Sequence, residues 1–370
     1  MARTPQRIGE LFRRPLRLAA AASAMAPPAG ILWLAVAALA VTGRLTASGT
    51  VFAQETNAVL AQQLADLPYK ILFESYDGDN WELFEISADG SDRRNITNTK
   101  DVHELYPQVS PDGSKIAFLV DTHANGTITR SLYLMNRDGS GRKKITDGGR
   151  EPTWSHDSRK IAFPKQEFSR FNVKDYVSKY LFIYDTETGE TTRHGNELIE
   201  HLYVPSWSAD DKWIFSTVHG GMGFGHAILG IEADGRRVVD MKVPGCRPCI
   251  SPDGKRLTWS SDDHTISVAD IVMTDEGPQA QNVRVVHKEP KMHLYHPDFS
   301  PDGQFICFSM GPGGRCAADG PGTQTEVAEM IGVRGPWDLY VQQVDGQGAP
   351  VRVTYHPELS NKESEWAVVP

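Results

Sequence analysis

Cysteine is scarce, four residues in 370, and its spacing excludes the commonest uses of thiolate chemistry. Cys246-Arg-Pro-Cys249 has no second Cys-x-x-Cys with which to build a four-thiolate zinc site, and Ile250 stands where haem attachment needs His. No Gly-x-Ser-x-Gly occurs to seat a hydrolase nucleophile, and Gly220 to Gly225 lacks the Lys of a phosphate-cradling loop. Long apolar runs are missing too. The best, Ile31 to Val41, falls short of the ~20 residues that cross a bilayer as a helix, and Arg44 soon follows it. Beyond residue 53, 32 basic residues face 46 acidic ones, a net of −14, which argues against nucleic acid or anionic lipid as partner.

The first 53 residues differ in kind, with six Arg, one Glu and neither Lys nor Asp. Arg3, Arg7, Arg13, Arg14 and Arg17 precede the apolar run, and Val51-Phe52-Ala53 ends it with apolar or small residues at −3 and −1. That order predicts a signal peptide cleaved after Ala53; the alternative is an uncleaved anchor lengthened by Leu18 to Met25. The expected location is the periplasm or another extracytoplasmic compartment, with inner-membrane anchoring as the variant. The division expected is a leader over 1–53, a short linker over 54–66 and one folded domain over 67–370.

That domain is a repeat. Ser110-Pro-Asp-Gly113 recurs as Ser251-Pro-Asp-Gly254 and Ser300-Pro-Asp-Gly303, with degenerate copies at Ser155-His-Asp-Ser158 and Ser208-Ala-Asp-Asp211. Pro presets φ at the second turn position, Asp bonds the backbone two residues on, and Gly accepts positive φ, so each copy joins two antiparallel strands. The strand after each turn ends in an aromatic residue, at Phe118, Phe163, Phe215, Trp259 and Phe308, with a sixth at Phe73. The steps between these positions lie between 44 and 52 residues, the length of a four-stranded blade. Six units of four strands predict an all-β, six-bladed propeller. Its first unit lacks an inner strand, which Ser364-Glu365-Trp366 supplies from the C-terminus in register with Pro152-Thr153-Trp154.

The run Pro-x-Trp-Ser-Pro-Asp-Gly-Lys-Ile-Ala-Phe, followed by Leu-Tyr-x-Met-x-x-Asp-Gly and a Leu/Ile-Thr ending, resembles the TolB-type propeller repeat; Ser110 to Phe118 with Leu132 to Thr146 is a nearly full copy. The likeness spans roughly residues 67 to 368 and implies an exported, protein-binding component of the cell envelope, with an envelope or peptidoglycan-associated protein as the partner class. Only about a dozen residues separate Ala53 from the first strand, too few for the α/β domain that precedes the TolB propeller.

Histidine carries the candidate chemistry. His103, His201 and His293 each stand four residues before an inner-strand Pro, in blades two, four and six, so three imidazoles are expected near the axis at one mouth of the channel. With an open position they would form a transition-metal site; otherwise no cofactor is expected. Glu104, Tyr106, Glu151, Tyr203, Arg247, Tyr295 and His296 complete the expected ligand-contacting rim. A non-catalytic binding scaffold is the leading expectation. The rival is a metal-dependent enzyme acting on a polysaccharide, since oligogalacturonate-lyase-type propellers resemble this chain in repeat type. Cys246 and Cys249 are expected as a local disulfide or two separate thiols, and Cys307 as a core thiol with a Cys316 bond conceivable. The Gly-rich insert Met310 to Gly335 should overhang the histidine face.

Overall fold

The computed structural model describes residues 58–76, 78–125, 127–168, 177–312, 331–355 and 359–369. The leader, Cys316, His356 and most of the Met310 to Gly335 insert lie outside them.

Twenty-four strands form six four-stranded antiparallel sheets. Blade 1 contains β1 (Tyr69–Tyr76), β2 (Trp81–Ser87) and β3 (Arg94–Asn95). Blade 2 is β4 (His103–Val109), β5 (Lys115–Ala124), β6 (Thr127–Asn136) and β7 (Lys143–Asp147). Blade 3 is β8 (Thr153–Trp154), β9 (Lys160–Gln166), β10 (Ser178–Asp185) and β11 (Thr191–Arg193). Blade 4 is β12 (Leu202–Trp207), β13 (Trp213–His219), β14 (His226–Glu232) and β15 (Val238–Asp240). Blade 5 is β16 (Cys246–Ile250), β17 (Arg256–Asp262), β18 (Thr265–Thr274) and β19 (Gly277–Lys288). Blade 6 is β20 (His293–Phe299), β21 (Phe305–Gly311), β22 (Asp338–Gln343) and β23 (Val351–Arg352). The last strand, β24 (Ser360–Val368), pairs with β1 and becomes the inner strand of blade 1. Closure by the C-terminus, expected from the Ser364-Glu365-Trp366 match, is therefore observed; it pairs the two sheet edges that would otherwise stay open.

The turn chemistry explains the hairpins. Ser110 Oγ donates to Asp112 Oδ1 over 2.6 Å and accepts from the Lys115 amide, while Asp112 Oδ1 accepts from the Ser114 amide. The same Ser-to-Asp bond recurs at Asp157, Asp210, Asp253 and Asp302. Where Gly is replaced, Ser158 and Asp211 take its left-handed conformation at φ +63° and +57°. Their side chains then latch neighbouring turns together: Ser158 Oγ accepts from the Asp112 amide, and Asp211 Oδ1 from the His156 amide. The two degenerate copies thus supply inter-blade bonds that glycine has no side chain to make.

Apolar clusters fill the spaces between blades, with Phe73, Phe118, Phe163, Phe215, Trp259 and Phe308 essentially inaccessible to solvent. Residues 58–65, inside the segment expected as linker, form a short helix. Its Leu60 and Leu64 bury against Phe73, Phe305 and Trp366, so this segment is part of the packed domain.

Candidate binding funnel

Each blade bends its innermost strand at one residue. Glu363, Tyr106, Glu151, Val204, Arg247 and His296, one from each of blades 1 to 6 in turn, all have positive φ between +20° and +57°. In five of the six the next residue is proline. Register shifts fall at the same places, between Leu105 and Gln108, Tyr203 and Ser206, Cys246 and Cys249, and Tyr295 and Asp298. A bulge followed by Pro re-aims a side chain and withdraws a backbone donor from the ladder. The stranded amide of the bulge residue is captured by the preceding blade. Tyr106 N donates to Glu74 Oε2, Arg247 N to Thr217 Oγ1 and Glu363 N to Ser309 Oγ. Such left-handed non-glycine residues cost roughly 1–3 kcal/mol each and persist only where their surroundings hold them.

These six residues form a buried floor. Tyr106 Oη lies 3.0 Å from His296 Nε2, and His296 Nε2 lies 3.6 Å from Glu363 Oε2. Burial, helped by the Arg247 charge, pushes the His296 pKa down to about 3, so the imidazole is neutral. Burial also drives the Tyr106 phenol well above its usual value, with the surrounding carboxylates adding to it. Arg150 and Glu151 pair at 3.6 Å, and Lys362 Nζ donates to Glu74 Oε1 over 2.6 Å, both pairs fully enclosed. Arg247 lies over the Tyr295 ring at 4.4 Å and donates to Cys246 Sγ.

Two residues further along each strand is a second tier: Gln108, Thr153, Ser206, Cys249, Asp298 and Glu365. This tier is laced from blade to blade. Gln108 Nε2 donates to Glu365 Oε2 over 3.0 Å, Cys249 Sγ to Asp298 Oδ1 over 3.1 Å, and the Ile250 amide to Ser206 Oγ over 3.1 Å. Burial raises the Asp298 carboxyl to about 6 and drives Glu365 well above the usual carboxylate range, the Asp298 charge adding to the latter. Cys246 and Cys249 are separate thiols on either side of the Arg247 bulge, and Cys307 is a buried thiol.

Above this tier a cavity of about 610 Å³ runs from Tyr106, Arg247 and His296 to the Ser-Pro-Asp-Gly turns. Trp154, Trp207, Trp366 and Phe299 wall it, and Pro111, Pro252, Pro301 and His156 stand at its turn end. Of the expected rim residues, Tyr106, Glu151, Arg247 and His296 are brought together on the floor. Glu104 is not at the mouth; its carboxylate is buried against Arg142 and Thr99. Tyr203 packs beside Val204 and Cys246, and Tyr295 Oη donates to Asp263 Oδ1.

His103, His201 and His293 do not converge. His103 Nδ1 accepts from the Trp81 amide with its ring against His123 at 5.1 Å. His201 Nδ1 contacts Gly220 O, and His293 packs on His264 at 5.2 Å. No three His, Cys, Asp or Glu side chains cluster as a metal would require among the described residues. These histidines enter the inner strands at the rim, whereas the bulge three residues later is what reaches the axis. Asp298, Glu363 and Glu365 escaped the sequence reading, although their offsets from each inner-strand Pro, or from the Ser364 that replaces it, mark all three.

No protein-family model matches the chain. Among curated proteins it is 26% identical over 209 residues to an uncharacterised peptidase, YuxL, of Bacillus subtilis, covering 55% of this chain and 29% of that protein. It is 27% identical over 254 residues to dipeptidyl-peptidase 5 of Porphyromonas gingivalis, covering 54% and 36%. The chain thus spans about a third of the length of these relatives. Among solved structures, TolB from Acinetobacter baumannii superposes with a TM-score of 0.58 at 18% identity, covering 81% of this chain and 66% of that one. Hydrazine synthase of Kuenenia stuttgartiensis gives 0.54 at 13% identity, covering 81% and 46%. With twenty-four strands in six sheets and this likeness, the chain has the fold of a TolB-like six-bladed propeller.

Proposed function

We propose that this protein is a non-catalytic binding module that holds a segment of a partner protein in its axial funnel, in an extracytoplasmic compartment of the cell. The observation that carries the reading is the cavity of about 610 Å³, lined by indole, proline and phenylalanine surfaces with polar groups at its base and at the turns. That size and lining suit a short stretch of peptide. The likeness to TolB and the basic, apolar leader support the exported setting. No described helix is long and apolar enough to cross a membrane.

The test is to fill the funnel. Ser206 is partly exposed on its wall, and Ser206→Trp occupies the space at the cost of the one bond from the Ile250 amide to Ser206 Oγ. Loss of a partner captured from envelope extract by the unaltered protein, with capture kept by an Arg236→Ala variant on the exposed outer surface, supports the reading. Undiminished capture by Ser206→Trp contradicts it.

A further inference from the structure

Within the funnel, Asp298 and Glu365 stand on adjacent inner strands of blades 6 and 1, at equivalent positions two residues past the bulge. Every hydrogen bond to either carboxylate given by the structure comes from a neutral donor: the Cys249 thiol and the Trp366 and Phe299 amides for Asp298, and the Gln108 side-chain amide for Glu365. Most other enclosed carboxylates have a cation beside them, Glu82, bonded by Asn80 and Thr97, excepted. Glu74 has Lys362, Glu151 has Arg150, and Asp121 has Arg130. Nearby, the indole nitrogen Nε1 of Trp366, a funnel-lining residue 5% exposed, has no hydrogen-bond partner among the described residues. Carboxylates held by neutral donors, an unpartnered indole nitrogen and indole walls meet in this funnel.

We infer that the funnel recognises a primary ammonium or guanidinium group, presented as a Lys or Arg side chain of an extended peptide, with Asp298 and Glu365 as its counter-charges. This rests on the binding function proposed above and names the chemistry of the occupant. The cation neutralises the acid pair, and the indoles of Trp154, Trp207 and Trp366 that line the funnel favour positive charge beside them. Burial of both carboxyls makes the site costly to leave as two charges, so an entering cation is favoured over a neutral group of equal size.

The test uses acetylated, amidated hexapeptides Gly-Ser-Xaa-Pro-Gly-Ser with Xaa as Lys, Arg, norleucine or Glu, with cadaverine as the free amine, titrated calorimetrically into the whole protein at pH 7.5. Asp298→Asn and Glu365→Gln keep an acceptor for the Trp366 and Gln108 donors, and far-ultraviolet spectra confirm that each folds. The Lys and Arg peptides are expected to bind at least about tenfold tighter than norleucine, with both variants erasing the difference. Equal binding of norleucine, preference for Glu, or no binding of any peptide overturns the inference. Cadaverine binding as tightly as the Lys peptide overturns the peptide source. Because the Ser206→Trp capture assay does not depend on the charge of the occupant, a funnel that binds without preferring cations keeps the proposed function and defeats only this inference.

Discussion

The Trp366 main-chain amide donates to Asp298 Oδ2 over 2.7 Å, joining the strand that closes the ring to the inner strand of blade 6. One bond therefore belongs both to the closure of the fold and to the acidic wall of the funnel. Stability and binding share residues at this seam, and several measurements can separate the two.

The enclosed Lys362–Glu74 pair tests the seam directly. Glu74 accepts from Lys362 Nζ and from the Tyr106 and Gly332 amides, so Lys362→Met leaves a buried carboxylate without its charge partner. Urea unfolding should show a loss of about 3–5 kcal/mol. A loss below about 1 kcal/mol would mean that water reaches this pair.

Asp298 gives a pH signature. Its folded pKa, about 6, lies above the ordinary value of 3.8, so the native state holds the proton more tightly than the unfolded chain. Its contribution is complete below pH 3.8 and is lost as pH rises through 6. Asp298→Asn should therefore flatten the decline in stability between pH 4 and 7, by about 2–3 kcal/mol in urea titrations. The turn carboxylates Asp112, Asp157, Asp210 and Asp253 shift downward through their Ser and backbone bonds despite partial burial, so their contribution is present above pH 3.8 and lost below it. An unchanged profile in Asp298→Asn would show that this carboxyl is solvated.

Val204 tests the bulge ring. It is β-branched and left-handed at φ +48°, where only glycine sits without strain. Val204→Gly removes a buried side chain but releases that strain, and the expected net cost is below about 1 kcal/mol by thermal or urea unfolding. A cost above about 2 kcal/mol, the ordinary figure for emptying a buried aliphatic site, would show that the ring is unstrained.

The rim histidines respond to one another. Burial, and then the neighbouring His123, lower the His103 pKa below the usual 6.5, so His103 costs stability as pH falls through 6.5. Proton NMR titration of His123→Ala should show the His103 pKa rising toward 6.5. No movement would assign its depression to burial alone.

Blade number and the closing strand were legible because the Ser-Pro-Asp-Gly turn repeats with a mechanism and a fixed offset to a buried aromatic residue. Ser158 and Asp211 kept that geometry without Gly because an inter-blade bond compensates the strain. The site was only half legible. The structure places Tyr106, Glu151, Arg247 and His296 on the floor, whereas the emphasis on His103, His201 and His293 rested on an unbent inner strand. The bulge at the residue before each Pro turns a different position toward the axis, and nothing in local composition announces a left-handed Tyr, Val or Arg. Asp298 and Glu365 carry a signal only in their shared offset from Pro297 and Ser364, which local composition alone does not show.

The account depends most on the funnel being the surface that meets a partner. A benzophenone amino acid placed at Ser206, inside the funnel, should crosslink a partner protein in intact cells, while the same probe at Val283, exposed on the outer strand of blade 5, should not. Adducts from Val283 with none from Ser206 would contradict it.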